Sequence, residues 1–351
     1  MKRIFILLIV ALFVAGAAFA EEAILIDFSL LTADIMNNQQ GRPTQNRQTV
    51  MDYGQVAGAS FTPEQRQVMR TSLAIENWEV VFTSSSRRVN TIANTFTREA
   101  PSRQFGTVMG VRVHFPLENF HSKATIRPPF EIPAFEAPAD VDDNGQIRPT
   151  EGQSGITGPS RFENGFGVVK NVGTIRSIAV NVYGLNFPHG LNVLLLDSMG
   201  NEKSMFMGYL NFDGWAELTW NNPQYIWEVR NRELRLFPLY PFSTPFVKFN
   251  GFRIDRDAAA LGGDFIVYFK DVKLIYDKAV LDTDRDIDDE SLWNIIRDRE
   301  TARRLWEMER FGQMQIMRYL DAEKQASEAW DPLFGTTVQE RYGFTPSPAV
   351  N

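Results

Sequence analysis

The stretch that most constrains the fold runs from Asp213 to Asp277. Short β-branched and aromatic runs alternate there with Asn, Pro and Gly breaks. That punctuation belongs to an antiparallel sheet. Its last run is the longest: Phe265, Val267 and Phe269 fall on one face of an extended chain, and Ile266, Tyr268 and Lys270 on the other. Two such faces predict a central strand packed on both sides, closing a β-sandwich. Runs of the same kind occur at Ile24–Phe28, Trp78–Phe82, Val108–Phe115, Thr174–Tyr183, Leu191–Asp197, Lys203–Tyr209, Glu233–Phe237 and Phe246–Ile254. No helical pattern separates them, which argues for antiparallel pairing rather than a parallel α/β sheet. The expected fold class is mainly β: an antiparallel, jelly-roll-like β-sandwich with a Pro/Gly-rich insertion and a C-terminal helical extension.

Three segments break the strand rhythm. Met36–Gln67 is rich in Gln, Asn, Gly and Pro and reads as a long loop, with a helix start at Thr62-Pro63-Glu64. The stretch 128–159 holds Pro128, Pro129, Pro133, Pro138, Pro149 and Pro159 beside Gly145, Gly152, Gly155 and Gly158. Proline removes ladder donors, so a surface excursion inserted in the sandwich is expected. After Asp277 the period changes. An acidic cap at Asp282–Glu290 precedes apolar residues at helical spacing, among them Leu292, Ile296, Leu305, Trp306, Met317 and Leu320. The spacing predicts a helix from about Glu290 to about Ala329, with a break near Gly312. The resulting division is a sandwich at 21–281, a helical extension at 282–330 and an extended or flexible tail at 331–351.

Residues 1–20 have the form of a secretory signal: Lys2 and Arg3, an apolar core at Ile4–Ala15, then Ala18-Phe19-Ala20 as cleavage site. The apolar core is short for a bilayer span. Cleavage after Ala20 is expected, and no later run is long enough to cross a membrane. The formal net charge is −7, and loss of Lys2 and Arg3 takes it to −9. An acidic surface argues against nucleic acid as a partner. The chain has no Cys, which removes thiol chemistry, Cys-ligated metals and lipidation through Cys.

The sharpest chemical motif is Asp140–Glu151, which fits the calcium-loop pattern D-x-[DN]-x-[DN]-G-x5-E. Asp140, Asp142 and Asn144 would donate side-chain oxygens, Gln146 its carbonyl, and Glu151 two oxygens. Pro138 before the loop and Gly152 after it deny the paired helices of an EF-hand, so a solvated acidic turn competes with calcium. Asp282–Asp286 is a poorer match, since it lacks the Gly. His114, His121 and His189 share no metal-ligand spacing and read as surface or loop histidines. No G-x-S-x-G elbow, Ser/His/Asp set or Gly-rich phosphate loop occurs, and no catalytic residue or cofactor site is singled out. Trp215, Trp220, Trp227, Tyr225 and Tyr240 cluster in sequence; they serve either sugar stacking or ordinary packing.

Several segments together carry a resemblance: Trp220–Ile226, Arg232-Glu233-Leu234-Arg235, Pro238-Leu239-Tyr240-Pro241 and Gly262–Ile266 followed by Lys270-Asp271-Val272. In order and spacing they resemble the flagellar filament outer-layer (sheath) proteins of spirochaetes, the FlaA family. The likeness is densest at Asn211–Asp277. It implies a structural, non-enzymatic subunit that coats the flagellin core of periplasmic flagella and supports motility. The implied partners are flagellin core proteins and copies of itself or related sheath proteins. From charge, hydropathy and motifs, no nucleic acid, no membrane after signal cleavage and no cofactor apart from calcium at the acidic loop are expected. The alternative is a carbohydrate-binding periplasmic β-sandwich protein.

Overall fold

A computed structural model describes residues 20–32, 49–52, 70–118, 121–136, 160–225, 243–279 and 286–328. It adds short pieces at 36–37, 43–44, 139–141, 147–149, 241, 330–331 and 336–337. The expected helix start at Thr62, the strand Glu233–Phe237, most of the 137–159 stretch and nearly all of the tail lie outside the described residues. So do residues 1–19.

Among the described residues, twelve strands build the two main antiparallel sheets. They are β1 (Glu21–Asp27), β2 (Glu79–Phe82), β3 (Phe96–Ser102), β4 (Gly106–Phe115), β5 (Lys123–Arg127) and β6 (Val168–Lys170). The second half of the chain gives β7 (Val172–Leu185), β8 (Gly190–Asp197), β9 (Glu202–Tyr209), β10 (Asp213–Asn221), β11 (Phe246–Asp255) and β12 (Gly263–Lys278). The first sheet runs β10-β7-β12-β4-β3, and the second β9-β8-β11-β5-β2.

Each sheet is organised about one long strand. β12 pairs with β7 along one side, from Val172 opposite Lys278 to Tyr183 opposite Tyr268. On its other side it pairs first with β4 and then with β1. β11 pairs with β8 on one side, and with β5 and β6 in succession on the other. The alternation seen in the sequence sets which face is buried: Phe265, Val267 and Phe269 point into the core. Phe252 of β11 stacks on Phe269 of β12 at 4.0 Å between ring centroids and 10° between planes, so the two central strands meet across the core. Phe28, Trp78 and Phe249 pack edge-on or tilted around the same spot, at 5.3 to 6.4 Å. Rings of this size dominate the apolar area removed from water. Gly251 holds β11 against its neighbour. Its φ is +119°, and a Cβ there would lie 2.0 Å from the Ile126 carbonyl oxygen.

The structure corrects three expectations. β12 is central, but its second face is only half-buried at Ile266, Tyr268 and Lys270, and among the described residues no layer lies over the outer face of the first sheet. The opening of the proline-rich stretch is not a surface excursion: Phe130, Ile132, Ala134 and Phe135 are buried. Pro128, Pro129 and Pro133 keep this piece extended without ladder donors, so it lies as a plug against the second sheet rather than as a strand in it. The helix breaks at Asn294, not at Gly312. Helix α1 (Asp289–Trp293) ends on Asn294 in the left-handed region at φ 53°, and α2 runs unbroken through Ile295–Glu328. Asn tolerates that conformation, whereas Gly312 is buried inside the helix next to Phe311.

Candidate interaction surface

The acidic cap does what its position predicts. The Asp288 carboxylate accepts from the Ser291 backbone N–H at 3.1 Å and caps α1. Glu290 accepts from the N–H groups of Ile296 and Arg297 at 3.0 and 2.8 Å and caps α2. Both satisfy helix-start donors that would otherwise lack partners, and place negative charge at the positive end of the helix.

α2 lies on the sandwich of its own chain, over the plug and the end of β11. Its seam holds little hydrocarbon. Phe311 meets Phe130 edge-on at 5.8 Å, and Ile316 and partly buried Met308 add to it. The rest of the seam is polar. The Lys248 ammonium pairs with Glu307 of the helix, and with Glu131 at 3.2 Å; Arg310 reaches the same Glu131 carboxylate. The second Glu307 oxygen accepts from the Ala134 N–H at 3.2 Å. Gln315 donates to the Pro129 carbonyl, Arg303 to the Ser198 carbonyl at 2.7 Å, and Arg318 pairs with Glu79 at 2.7 Å. Lys248 and Glu307 are only 3% and 4% exposed. Burial pulls the Lys248 ammonium down to about 8, against the opposing pull of Glu131. This cluster was missed in the sequence, although a lysine inside the apolar run Phe246–Phe249 was a readable signal.

The opposite side of α2 is open and mixes apolar residues with exposed Glu309, Gln313 and Asp321. Leu305, Trp306, Met314, Met317 and Leu320 stand in solvent, with Trp306 59% and Met317 64% exposed. A second aromatic surface lies on the outer face of the first sheet. Trp215, Tyr183 and Tyr268 occupy facing positions on β10, β7 and β12. Their rings meet edge-on at 5.4 and 5.8 Å, and Phe105 from the β3–β4 turn closes on Trp215 at 4.8 Å. The aromatic cluster expected from the sequence is therefore split. Trp215 faces outward, and Trp220 turns inward and packs against the core. Tyr225 sits under the Arg176 guanidinium at 5.0 Å. Trp227 and Tyr240 lie outside the described residues.

The histidines do three different jobs. His114 Nδ1 and the Arg112 guanidinium both hold Asp264, at 2.8 and 3.0 Å, and these contacts lower the carboxyl's affinity for a proton. His121 Nδ1 lies 3.2 Å from the Arg256 carbonyl oxygen. His189 is not a surface histidine: it is buried among Phe115, Phe187 and Phe265, at 5.0 to 5.9 Å. Burial, with the Arg256 charge nearby, drops its pKa to about 4, so the ring is neutral at pH 7.

Of the expected calcium loop, Asp142, Asn144, Gln146 and Glu151 lie outside the described residues. Asp140 is placed by its backbone alone, opposite Arg148 in a short antiparallel pair. Among the described residues no three His, Asp or Glu side chains converge as metal ligands. No described helix is long and apolar enough to cross a membrane.

Comparison with known proteins places the chain. Residues 42–285 match the family model described as "Flagellar filament outer layer protein Flaa". The flagellar filament outer layer protein of Treponema pallidum (strain Nichols) is 50% identical over 99% of this chain and 97% of its own length. This chain belongs to the flagellar filament outer layer protein family. A member from Spirochaeta aurantia is 44% identical over 94% of this chain and 95% of its own. Solved structures include a family 11 carbohydrate-binding module from Clostridium thermocellum in complex with a mixed-linked tetrasaccharide. It is 7% identical, with a TM-score of 0.28 over 57% of this chain and 90% of that one. A likeness of that extent carries no argument about what an outer layer protein binds.

Proposed function

We propose that this chain is a structural subunit of the outer, sheath layer of periplasmic flagellar filaments, coating a flagellin core and supporting motility. The observation that carries the reading is the 50% identity to the Treponema pallidum outer layer protein across nearly the whole of both chains. Such a subunit acts by occupying a place in a layer and turns over no substrate. Repetition of modest contacts around a core gives a coat high avidity without any one strong interface. A rigid two-sheet body suits that task, because a coat subunit transmits load instead of changing shape. The partners on this reading are flagellin core proteins and further copies of this chain or related sheath proteins. The compartment is the periplasm, reached by removal of residues 1–20 after Ala20.

The test is isolation of intact filaments followed by quantitative protein analysis. The reading predicts this chain in stoichiometric ratio to flagellin, with its N-terminus at Glu21. Filaments that purify without it, or with trace amounts only, would overturn the assignment.

A further inference from the structure

The Arg310 guanidinium stands at the edge of the α2 seam with its donors unequally served. One terminal nitrogen reaches Glu131. The other, Nη1, faces the Met314 sulfur at 4.0 Å, one turn along the same helix. Nε is buried and meets no acceptor among the described residues. Trp306 lies under the group, its ring centroid 5.1 Å from the guanidinium carbon. A guanidinium offers five donors, and a thioether is a weak acceptor for any of them. Met314 is 47% exposed, so its sulfur is open to small oxidants. We propose that Met314 is an oxidation site whose sulfoxide is held by Arg310, so that oxidation fastens α2 more firmly to the sandwich and the seam responds to redox conditions.

The oxidant is a peroxide. A sulfur lone pair attacks one peroxide oxygen and the O–O bond breaks. The departing hydroxide takes up the proton left on the transferred oxygen, giving water. Sulfur loses two electrons and the peroxide gains them. The product carries a strongly polar oxygen in place of a weakly accepting sulfur, and the change is reversible by reductases. Side chains four apart on a helix are neighbours, so that oxygen is within reach of the guanidinium. It accepts from Nη1 in a charge-assisted bond while the other nitrogen keeps Glu131. Glu131 also holds the buried Lys248 at 3.2 Å, so fixing Arg310 fixes the carboxylate on which the seam turns.

Other methionines lack the combination. Met199 and Met317 are exposed, but among the described residues no hydrogen bond reaches either sulfur. Arg161 touches the Met51 sulfur at 3.5 Å, but Met51 is buried. Met314 alone among the described methionines unites an accessible sulfur with a facing cation that has donors to spare.

The test treats the full chain with hydrogen peroxide and maps it by peptide mass spectrometry. Met314 should oxidise alongside Met199 and Met317, about tenfold faster than the buried Met51, Met109, Met205 and Met207. In a Met199→Leu/Met317→Leu background, oxidation should slow amide exchange across 129–135 and 307–316 about threefold, and methionine sulfoxide reductases should restore it. Met314→Leu should make exchange there indifferent to peroxide. Met314→Gln, with an amide oxygen in place of the sulfoxide, should slow exchange with no oxidant present. In Arg310→Leu, oxidation of Met314 should leave exchange unaltered. The proposal is overturned if Met314 oxidises as slowly as the buried methionines, if its oxidation leaves exchange unchanged or speeds it, or if the slowing persists in Arg310→Leu. Should Arg310→Leu loosen the helix outright, Met314→Gln still decides: exchange as fast as in the wild type overturns the proposal. None of these outcomes alters whether the chain purifies with filaments.

Discussion

The sandwich and helix α2 solve opposite problems. In the sandwich, phenylalanines go inside; Phe252, Phe265 and Phe269 are fully enclosed. In α2 a buried Lys–Glu pair faces the protein and tryptophan, leucine and methionine face out. The sandwich is stabilised by removing apolar area from water, which is non-directional and strong. The helix seam is held by groups that specify position but recover little net energy once their desolvation is counted. The body is therefore the stable part, and the helix is an element placed in register on it.

Several substitutions break or sharpen this contrast. The largest effect is expected in the sandwich: Phe252→Ala removes the ring that joins the two sheets and should cost about 4 kcal/mol in denaturant unfolding. Glu307→Ala comes next. It leaves the Lys248 ammonium buried beside Glu131 alone, and should cost about 3 kcal/mol or free the helix to proteolysis. Replacing both partners, Lys248→Met with Glu307→Leu, should instead be close to neutral. A double change that costs as much as the single one would show that the pair itself contributes net stability.

The pH dependence separates the two regions in another way. The folded-state pKa of His189 lies near 4, below its ordinary 6.5. Between those values the unfolded chain binds more protons than the folded one. Stability present above pH 6.5 is therefore lost as pH falls towards 4, at no more than ~1.4 kcal/mol per pH unit. His189→Phe, with its ring among three other phenylalanines, should flatten that part of the pH–stability curve; an unchanged slope would mean that other groups control it. The smallest effect is expected on the open side of α2. Met317→Glu should change the melting of the isolated chain by less than ~0.5 kcal/mol. A large loss there would mean that the stripe is already covered within the single chain.

Much of the sandwich was legible because one rule governs it. A half-buried strand alternates with period two, and Ile178, Val180 and Val182 or Phe265, Val267 and Phe269 show that period directly. The 130–135 plug was not legible. Its four buried apolar residues sit among prolines that signal a loop, and nothing local says that the loop lies under a helix more than 150 residues away. Lys248 and Glu307 were hidden for the same reason, since their pairing across the seam depends on tertiary approach. The Trp215–Trp220 cluster misled because five positions along a strand put two residues on opposite faces. His189 gave no sign of its burial, because the rings around it come from β4, β12 and the turn before β8. The family, by contrast, showed in the order of several short segments, and it is the family that identifies the layer this chain occupies.

The central claim is that the chain works by occupying the outside of a filament. The most direct measurement compares the diameter of periplasmic filaments, by cryo-electron microscopy, between cells that make the protein and cells that lack it. The account predicts a thinner, bare flagellin core in its absence, with the lost shell matched in mass by this chain. Filaments of unchanged diameter and composition would contradict it.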